Sequence, residues 1–380
     1  MNAQDVEIRK GLAGVVVDTT AISKVMEESN SLTYRGYPVQ DLAANCCFEE
    51  VAYLIWHGDL PNADQLRRFM ERERAQRELS RSMISLLGRL PDSCHPMDTL
   101  RTAISALGAE DPSSENNDPR ANLVKALTMM AKLPTVVAFD YRRRRGLDRI
   151  PPDPALGFAE NFFHMCFGAV PEPETVRCFE VSLILYAEHS FNASTFTARV
   201  VTSTLSDIYS AVTAAIGALK GSLHGGANEA VMHMMLEIGD PIRAGDWLRD
   251  ALATRRKVMG FGHRVYKHGD SRVPTMKQAF LAMAAKKHGQ KWVEMYDALE
   301  RTMIEEKGIH PNLDFPTGPA YYLMGFDIPM FTPIFVMSRI TGWTAHIIEQ
   351  IESNSLIRPL SAYSGAEQRT VPAPASRLAG

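Results

Sequence analysis

Three separated stretches of the chain set a histidine or an aspartate among glycines, prolines and apolar residues, and two arginines follow near its C-terminal end. The first stretch is Gly221-Ser-Leu-His224-Gly-Gly-Ala-Asn228. Glycines at 221, 225 and 226 let the backbone turn tightly around His224 and bring a ligand close to it. An imidazole so placed can serve as general acid or base, although a structural loop histidine reads the same way. The second is Gly260-Phe-Gly-His263-Arg264-Val-Tyr-Lys267-His268-Gly-Asp270-Ser-Arg272. Backbone amides, imidazole and cations crowd together there, an arrangement suited to an anionic ligand with a carbonyl to polarise. The third, Pro311-Asn-Leu-Asp314-Phe-Pro-Thr-Gly-Pro319, holds an acid in a stiff, partly dry loop that can raise its pKa and sharpen it as a base. Asp before Phe-Pro is also a good helix N-cap. Arg339 lies inside the apolar run 333–348, and Arg358 in the Ile-Arg-Pro-Leu turn beyond it. Each guanidinium fits a carboxylate, of a ligand or of an acid of the chain in a buried ion pair.

Two imidazoles, one carboxylate and several arginines point to chemistry at carbon. A base would remove a proton alpha to one carbonyl, imidazoles would stabilise the enol and polarise a second carbonyl, and arginines would hold a multiply carboxylated substrate. Other reaction classes fit poorly. Histidines at 189, 224, 233, 263, 268 and 310 make no H-E-x-x-H or comparable metal-binding pair. A G-x-S-x-G nucleophile elbow is absent, and the glycines of 260–262 lack Walker spacing and follow a helix-like segment rather than a buried strand.

The scaffold for these groups is legible in outline. The 380 residues are 45% apolar and 22% charged, enough to bury a large core in one big domain or in a large plus a small one. Forty-one Lys+Arg against 44 Asp+Glu leave a formal charge of −3, which argues against wholesale binding to nucleic acid or an anionic membrane but permits a local cationic pocket. Cys46, Cys47, Cys94, Cys166 and Cys178 are odd in number and lack C-x-x-C spacing, as suits a reducing cytosol. The start, MNAQDVEIRKGL, has no signal-peptide pattern, and no stretch approaches the ~20 uncharged apolar residues of a membrane span, so a cytoplasmic location is expected.

Apolar residues recur at three and four, which predicts an all-α, mainly helical protein. Helices are expected over 49–57, 64–79, 121–141 with a kink at Pro134, 176–188, 246–257, 275–287, 292–306 and 332–352. Val201, Leu205, Ile208, Val212, Ile216 and Leu219 form one stripe and predict a single buried helix ending at Lys220-Gly221. Strand signals are confined to short pieces such as 14–18. The stretches 109–119 and 150–154 read as loops, and the basic run Arg142–Arg145 as a solvated helix end.

Seven segments carry a family resemblance: Leu32-Thr-Tyr-Arg-Gly-Tyr37, His95-Pro-Met-Asp98, Ala187-Glu-His-Ser-Phe-Asn-Ala-Ser-Thr-Phe196, Leu223-His-Gly-Gly-Ala-Asn228, Gly260-Phe-Gly-His263, Pro311-Asn-Leu-Asp314 and Ile357-Arg-Pro-Leu360. In this order, over nearly the whole chain, they resemble the citrate synthase family and, within it, the 2-methylcitrate synthases. The resemblance implies a homodimeric, two-domain helical enzyme, with 1–225 and 326–380 as a large domain and 226–325 as a smaller one that closes over the substrates. By position, His224, His263 and Asp314 look like the catalytic triad, and Arg272, Arg339 and Arg358 like the carboxylate-binding arginines, Arg358 reaching into the partner's site. His189 matches a further substrate-binding histidine. Lys257, Val258, Met259, Gly260 and Phe261 align with backbone that lines the coenzyme A adenine, and Lys267 with a phosphate-contacting cation. No permanently bound cofactor and no metal are implied, only an acyl-CoA cosubstrate and oxaloacetate.

Propionyl-CoA and acetyl-CoA differ by one methylene, worth only about 1–3 kcal/mol in an apolar pocket. The contexts of Tyr186 and Leu313 and the tail Ala-Tyr363-x-Gly-x-Glu-Gln-Arg369 resemble the propionyl-CoA enzymes, while ordinary packing is the plain alternative for both side chains. Tyr34-Arg-Gly36 comes so early that the N-terminal β-rich domain of the NADH-inhibited, hexameric citrate synthases has no room. The expectation is a dimer insensitive to NADH.

Overall fold

The three-and-four spacing is satisfied by sixteen α-helices among the described residues of the computed structural model, which are 8–26, 28–263, 265–266 and 269–374. They are α1 (Val39–Asn45), α2 (Phe48–His57), α3 (Ala63–Arg74), α4 (Arg81–Gly88), α5 (Pro96–Glu110), α6 (Pro119–Arg143), α7 (Phe158–Phe167), α8 (Pro173–Tyr186), α9 (Ala193–Ser203), α10 (Ile208–Leu219), α11 (Ala227–Ile238), α12 (Ala244–Ala253), α13 (Val273–Lys286), α14 (Gln290–Lys307), α15 (Asp314–Leu323) and α16 (Phe331–Glu352). Residues 20–355 form one compact unit, and the described parts of 1–19 and 356–380 group as a second.

Within the larger unit α16 is the organising element. It is buried on nearly every side from Phe331 to Ile347, as a predominantly apolar core helix is, and it packs against α6, α8, α9 and α10. Gly342 gives it a close approach to the end of α8, since a Cβ there would lie 2.6 Å from the carbonyl oxygen of Ala187. α6 is long and apolar enough to cross a membrane by composition, but 72% of its most apolar window is buried inside the protein. It continues as helix through Pro134.

Several local features depart from the periodicity. The stripe from Val201 to Leu219 belongs to two helices, not one. Leu205 sits left-handed at φ +67°, and Asp207 caps α10 by accepting from Ser210 N at 2.9 Å. A good cap directly before a helical run overrides a matching apolar phase. α3 stops at Arg74 rather than at 79: the ladder tightens to three-residue bonds from Gln76 N to Glu73 O and Arg77 N to Arg74 O, and the Arg77 side chain, paired with Glu73 (2.7 Å), donates to the carbonyls of Asp153 and Leu156. No strand forms at 14–18. A three-stranded antiparallel sheet is made instead by β1 (Ser23–Met26), β2 (Ser31–Tyr34) and β3 (Tyr37–Pro38), with Ser23 opposite Tyr34 and Tyr34 opposite Tyr37. Arg35 (φ +49°) and Gly36 (φ +91°) supply the two-residue turn between β2 and β3. The run Arg142–Arg145 is not a solvated end. Arg143 and Arg144 grip Asp140 at 2.8 and 2.7 Å, Arg144 also donates to the Cys94 carbonyl (2.7 Å), and Arg145 pairs with Asp327 while lying 3.7 Å above the Tyr141 ring.

Candidate active site

The C-terminal end of α8 is the point to which the chemistry-bearing residues are tied. The last carbonyls of a helix lack intrahelical partners and carry negative dipole charge, so cations and hydroxyls gather there. Tyr34 Oη reaches the carbonyls of Ile184 (3.1 Å), Leu185 (3.2 Å) and Glu188 (3.0 Å). Arg272 Nη1 donates to Leu185 O at 3.4 Å, and Arg339 Nε to Tyr186 O at 2.6 Å. The Leu32–Tyr37 segment thus serves the site indirectly, by holding the end of α8.

His224 lies in the turn between α10 and α11. Its Nε2 is 2.8 Å from Ser194 Oγ and receives the Ser194 backbone N–H at 3.3 Å. A backbone amide can only donate, so Nε2 is an acceptor and the ring proton sits on Nδ1. Trp343 Nε1 donates to the same Ser194 Oγ at 3.0 Å. Burial, with Arg339 adding to it, pushes the His224 pKa down to about 4, so the ring is neutral at pH 7.

His263 is held with the opposite polarity. Its Nδ1 accepts the N–H groups of Val265 (3.1 Å) and Tyr266 (3.2 Å), so the proton belongs to Nε2. Burial and then the nearby Arg272 lower its pKa to about 4. The His189 ring lies 4.9 Å away, edge-on, and is also neutral because burial drives its pKa well below the ordinary value.

The loops bearing His263 and Asp314 are stitched together backbone to backbone. Gly262 N donates to His310 O and Asn312 N to Gly260 O, both at 2.9 Å, and Asn312 Nδ2 donates to Gly262 O at 3.0 Å. Gly260 is required at φ +87°, where a Cβ would stand 2.5 Å from Val231 Cγ2 and 2.9 Å from Phe315 Cδ2. Asp314 opens α15, but it is not the cap that its sequence context allows. Its own N–H is received by Asn312 Oδ1 (3.1 Å), while its carboxylate turns inward to Tyr186 Oη at 2.6 Å. Burial outweighs that bond and the neighbouring arginines and lifts the Asp314 pKa to about 6.

Arg272 is a buried ion-pair member, with Asp270 at 2.7 Å, and Asp270 also accepts from Leu313 N at 3.2 Å. Arg339 is different. It is 2% exposed, its Nε bonds only a carbonyl, and its Nη1 has no hydrogen-bond partner; His189 Nε2 is likewise unpartnered. Burial lowers the Arg339 pKa to about 10, which still leaves it charged at pH 7. No acid makes a direct ion pair with Arg339, although the buried Glu188 favours its charge through space, and its unpartnered Nη1 suits a carboxylate brought by a ligand.

Leu313 is 1% exposed beside Asp314. Lys257 is exposed, Val258, Met259 and Phe261 are half-buried, and Gly260 is buried. Arg358 is exposed and belongs to the second unit, while Lys267 lies outside the described residues. Sequence reasoning passed over Ser194, Trp343 and Asn312 as positioning groups. Ser194 lies within 187–196 and Asn312 within 311–314, but their types are common in loops and caps, and Trp343 reads as core.

Comparisons with known proteins place the chain in a family. Residues 11–360 match the family model described as citrate synthase, C-terminal domain. The chain is 68% identical over 366 residues to the 2-methylcitrate synthase of Mycobacterium tuberculosis (strain ATCC 25618 / H37Rv), covering 96% of this chain and 93% of that protein. It is also 68% identical over 364 residues to the citrate synthase of Mycolicibacterium smegmatis, covering 96% and 97%. The structure matches citrate synthase from the archaeon Thermoplasma acidophilum, solved in ternary complex with carboxymethyl coenzyme A and oxaloacetate, with a TM-score of 0.91 at 34% identity over 98% of this chain and 100% of that one. The chain belongs to the citrate synthase family of acyltransferases.

Proposed function

We propose that this chain condenses propionyl-CoA with oxaloacetate and water to give 2-methylcitrate and CoA, and that it also accepts acetyl-CoA. The observation that carries the reading is a buried carboxylate with a raised pKa, Asp314, in the same site as two neutral imidazoles of opposite tautomer, His224 and His263. Asp314 takes a proton from the α-carbon of the acyl thioester, and His224 Nδ1–H donates to the thioester oxygen as it gains charge. The α-carbon of the resulting enol or enolate then bonds to the keto carbon of oxaloacetate, whose oxygen takes the proton of His263 Nε2, and the proton taken up by Asp314 is given back to restore that ring. Water next cleaves the C–S bond, leaving a carboxylate on the product and a thiol on CoA.

Arg272, Arg339 and His189 seat the oxaloacetate, which orients it before the encounter. The unpartnered Nη1 of Arg339 and Nε2 of His189 are the supporting observations. In this reading the protein is a homodimer, the partner subunit's Arg358 completes the seat, and residues 226–325 act as a smaller domain that closes to exclude water. The backbone of 257–261 lines the CoA adenine, and Lys267 meets a phosphate.

The acyl preference rests on Tyr186 and Leu313, buried beside Asp314, and on the relatives named 2-methylcitrate synthase. Acetyl-CoA as preferred substrate is the second reading, favoured by the equally similar Mycolicibacterium smegmatis citrate synthase. The test is the ratio of kcat/KM for propionyl-CoA to that for acetyl-CoA, with oxaloacetate saturating and thiol release followed. A ratio above one is expected; a ratio well below one overturns the propionyl assignment and leaves the family intact.

A further inference from the structure

Tyr186 ends α8 with both of its polar groups committed to the site. Its hydroxyl donates to Asp314 Oδ1 and its carbonyl accepts from Arg339 Nε, each at 2.6 Å. The side chain is 2% exposed, and its ring centroid lies 4.1 Å from that of Phe335, which in turn stands 4.8 Å from the Arg339 guanidinium and 6.4 Å from the His224 ring. Packing alone would accept a phenylalanine here. A phenol in this place costs desolvation that only a hydrogen bond offsets, and the acceptor it has found is the carboxylate that must act as base.

We propose that Tyr186 is the positioning residue of the proton-abstracting base: its hydroxyl holds Asp314 Oδ1 and leaves Oδ2 to take the α-proton, while its carbonyl ties that base to the arginine that seats the dicarboxylate. The inference rests on Asp314 being the base and goes beyond selection of the acyl group. Asp314 is faced by Tyr186 from α8, by Arg339 from α16 and by Arg272 and Asp270 from the segment before α13. The two arginines favour the carboxylate and Asp270 opposes it. Once a dicarboxylate occupies the arginines, its charges cancel their pull on Asp314. The tyrosine hydroxyl, a neutral donor, keeps its hold whether or not the seat is filled, so its influence on the base survives into the ternary complex.

The experiment compares wild type with Tyr186→Phe by thiol release from propionyl-CoA and from acetyl-CoA across pH, with oxaloacetate saturating. The variant is expected to lose about tenfold or more in kcat. The acid limb of its kcat profile moves to higher pH, because removing the donor raises the Asp314 pKa. KM for oxaloacetate is expected to stay unchanged, since the variant's backbone carbonyl still holds Arg339. Site-specific 3,5-difluorotyrosine at 186, a stronger donor of nearly the same shape, moves the acid limb the other way and keeps the test open if the Phe variant folds poorly. An unmoved acid limb in both variants, or a loss confined to KM for acyl-CoA, overturns the proposal. Failure of the functional reading is distinguishable, because the wild type itself would then release no thiol.

Discussion

The backbone N–H of Ser194 points at Nε2 of His224 from 3.3 Å, and the Ser194 hydroxyl stands 2.8 Å from the same nitrogen. The amide fixes the tautomer by itself, because no side-chain change removes it. Ser194→Ala is therefore expected to keep His224 as the Nδ1–H form and to lower kcat by only about five- to tenfold, the worth of one neutral hydrogen bond. His224→Ala removes the donor to the thioester oxygen and is expected to cost about 10²–10³ in kcat. Steady-state thiol release with both variants measures the difference; equal losses would assign the tautomer to the hydroxyl instead.

Two histidines held near pKa 4 make the fold sensitive to mild acid. Both are depressed below the ordinary 6.5 by burial, so the unfolded chain binds more protons between about pH 6.5 and 4, and their contribution, full above that window, is lost as pH falls through it. Each gives up about 1–2 kcal/mol between pH 7 and 5. Asp314, raised to about 6, works with the opposite sign and returns about 1 kcal/mol over the same range. A net loss of stability from pH 7 to 5 is expected in urea unfolding. His224→Gln should shrink that loss, and an unchanged loss would mean that His224 is protonated in the folded state.

The helical class and the order of the polar segments were legible in the sequence, because apolar phase and glycine spacing are local. Glycine-flanked His224 and His263 could be singled out without knowing their partners. What was not legible is what distance in the chain conceals. Tyr186 and Asp314 are 128 residues apart and meet at 2.6 Å, and Arg339 looks like any buried arginine until its Nη1 is found without a partner. The single-helix stripe across Val201–Leu219 failed for a local reason, since Asp207 caps a new helix in the middle of a continuous apolar phase. Lone periodicity carries no information about a cap that happens to fall in register.

Gly342 sets how closely α16 approaches the end of α8. A Cβ at 342 would lie 2.6 Å from the Ala187 carbonyl and also against Glu188 Oε2, and the carbonyl cannot rotate away. Gly342→Ala is expected to cost about 1–3 kcal/mol in stability by overpacking. It should also raise KM for oxaloacetate more than it lowers kcat, because displacing α16 moves Arg339 off Tyr186 O while Asp314 is carried on a different helix. Thermal unfolding together with the KM and kcat split checks both halves, and a fully stable variant with native KM would show that the helices separate without consequence.

Asp314 is expected to destabilise the protein it serves. Its pKa is raised from 3.8 to about 6 by burial, so between those values the folded state binds the proton more tightly than the unfolded one, and stability falls as pH rises through that window. At pH 7 the full cost is present. Asp314→Asn removes the charge while its amide oxygen still accepts from the Tyr186 hydroxyl, so the variant should be more stable than wild type at pH 7, by on the order of 1–3 kcal/mol. The same change removes the base, and thiol release from acyl-CoA plus oxaloacetate should fall by about 10³ or more. Denaturant unfolding at pH 7 and 4 separates the terms, because the advantage should shrink toward pH 4, where the wild-type carboxyl is protonated in the fold. Near-native turnover in this variant would remove Asp314 from the chemistry, and a variant less stable at pH 7 would mean that the carboxylate is a structural partner of Arg272 and Arg339 rather than a base held at a cost.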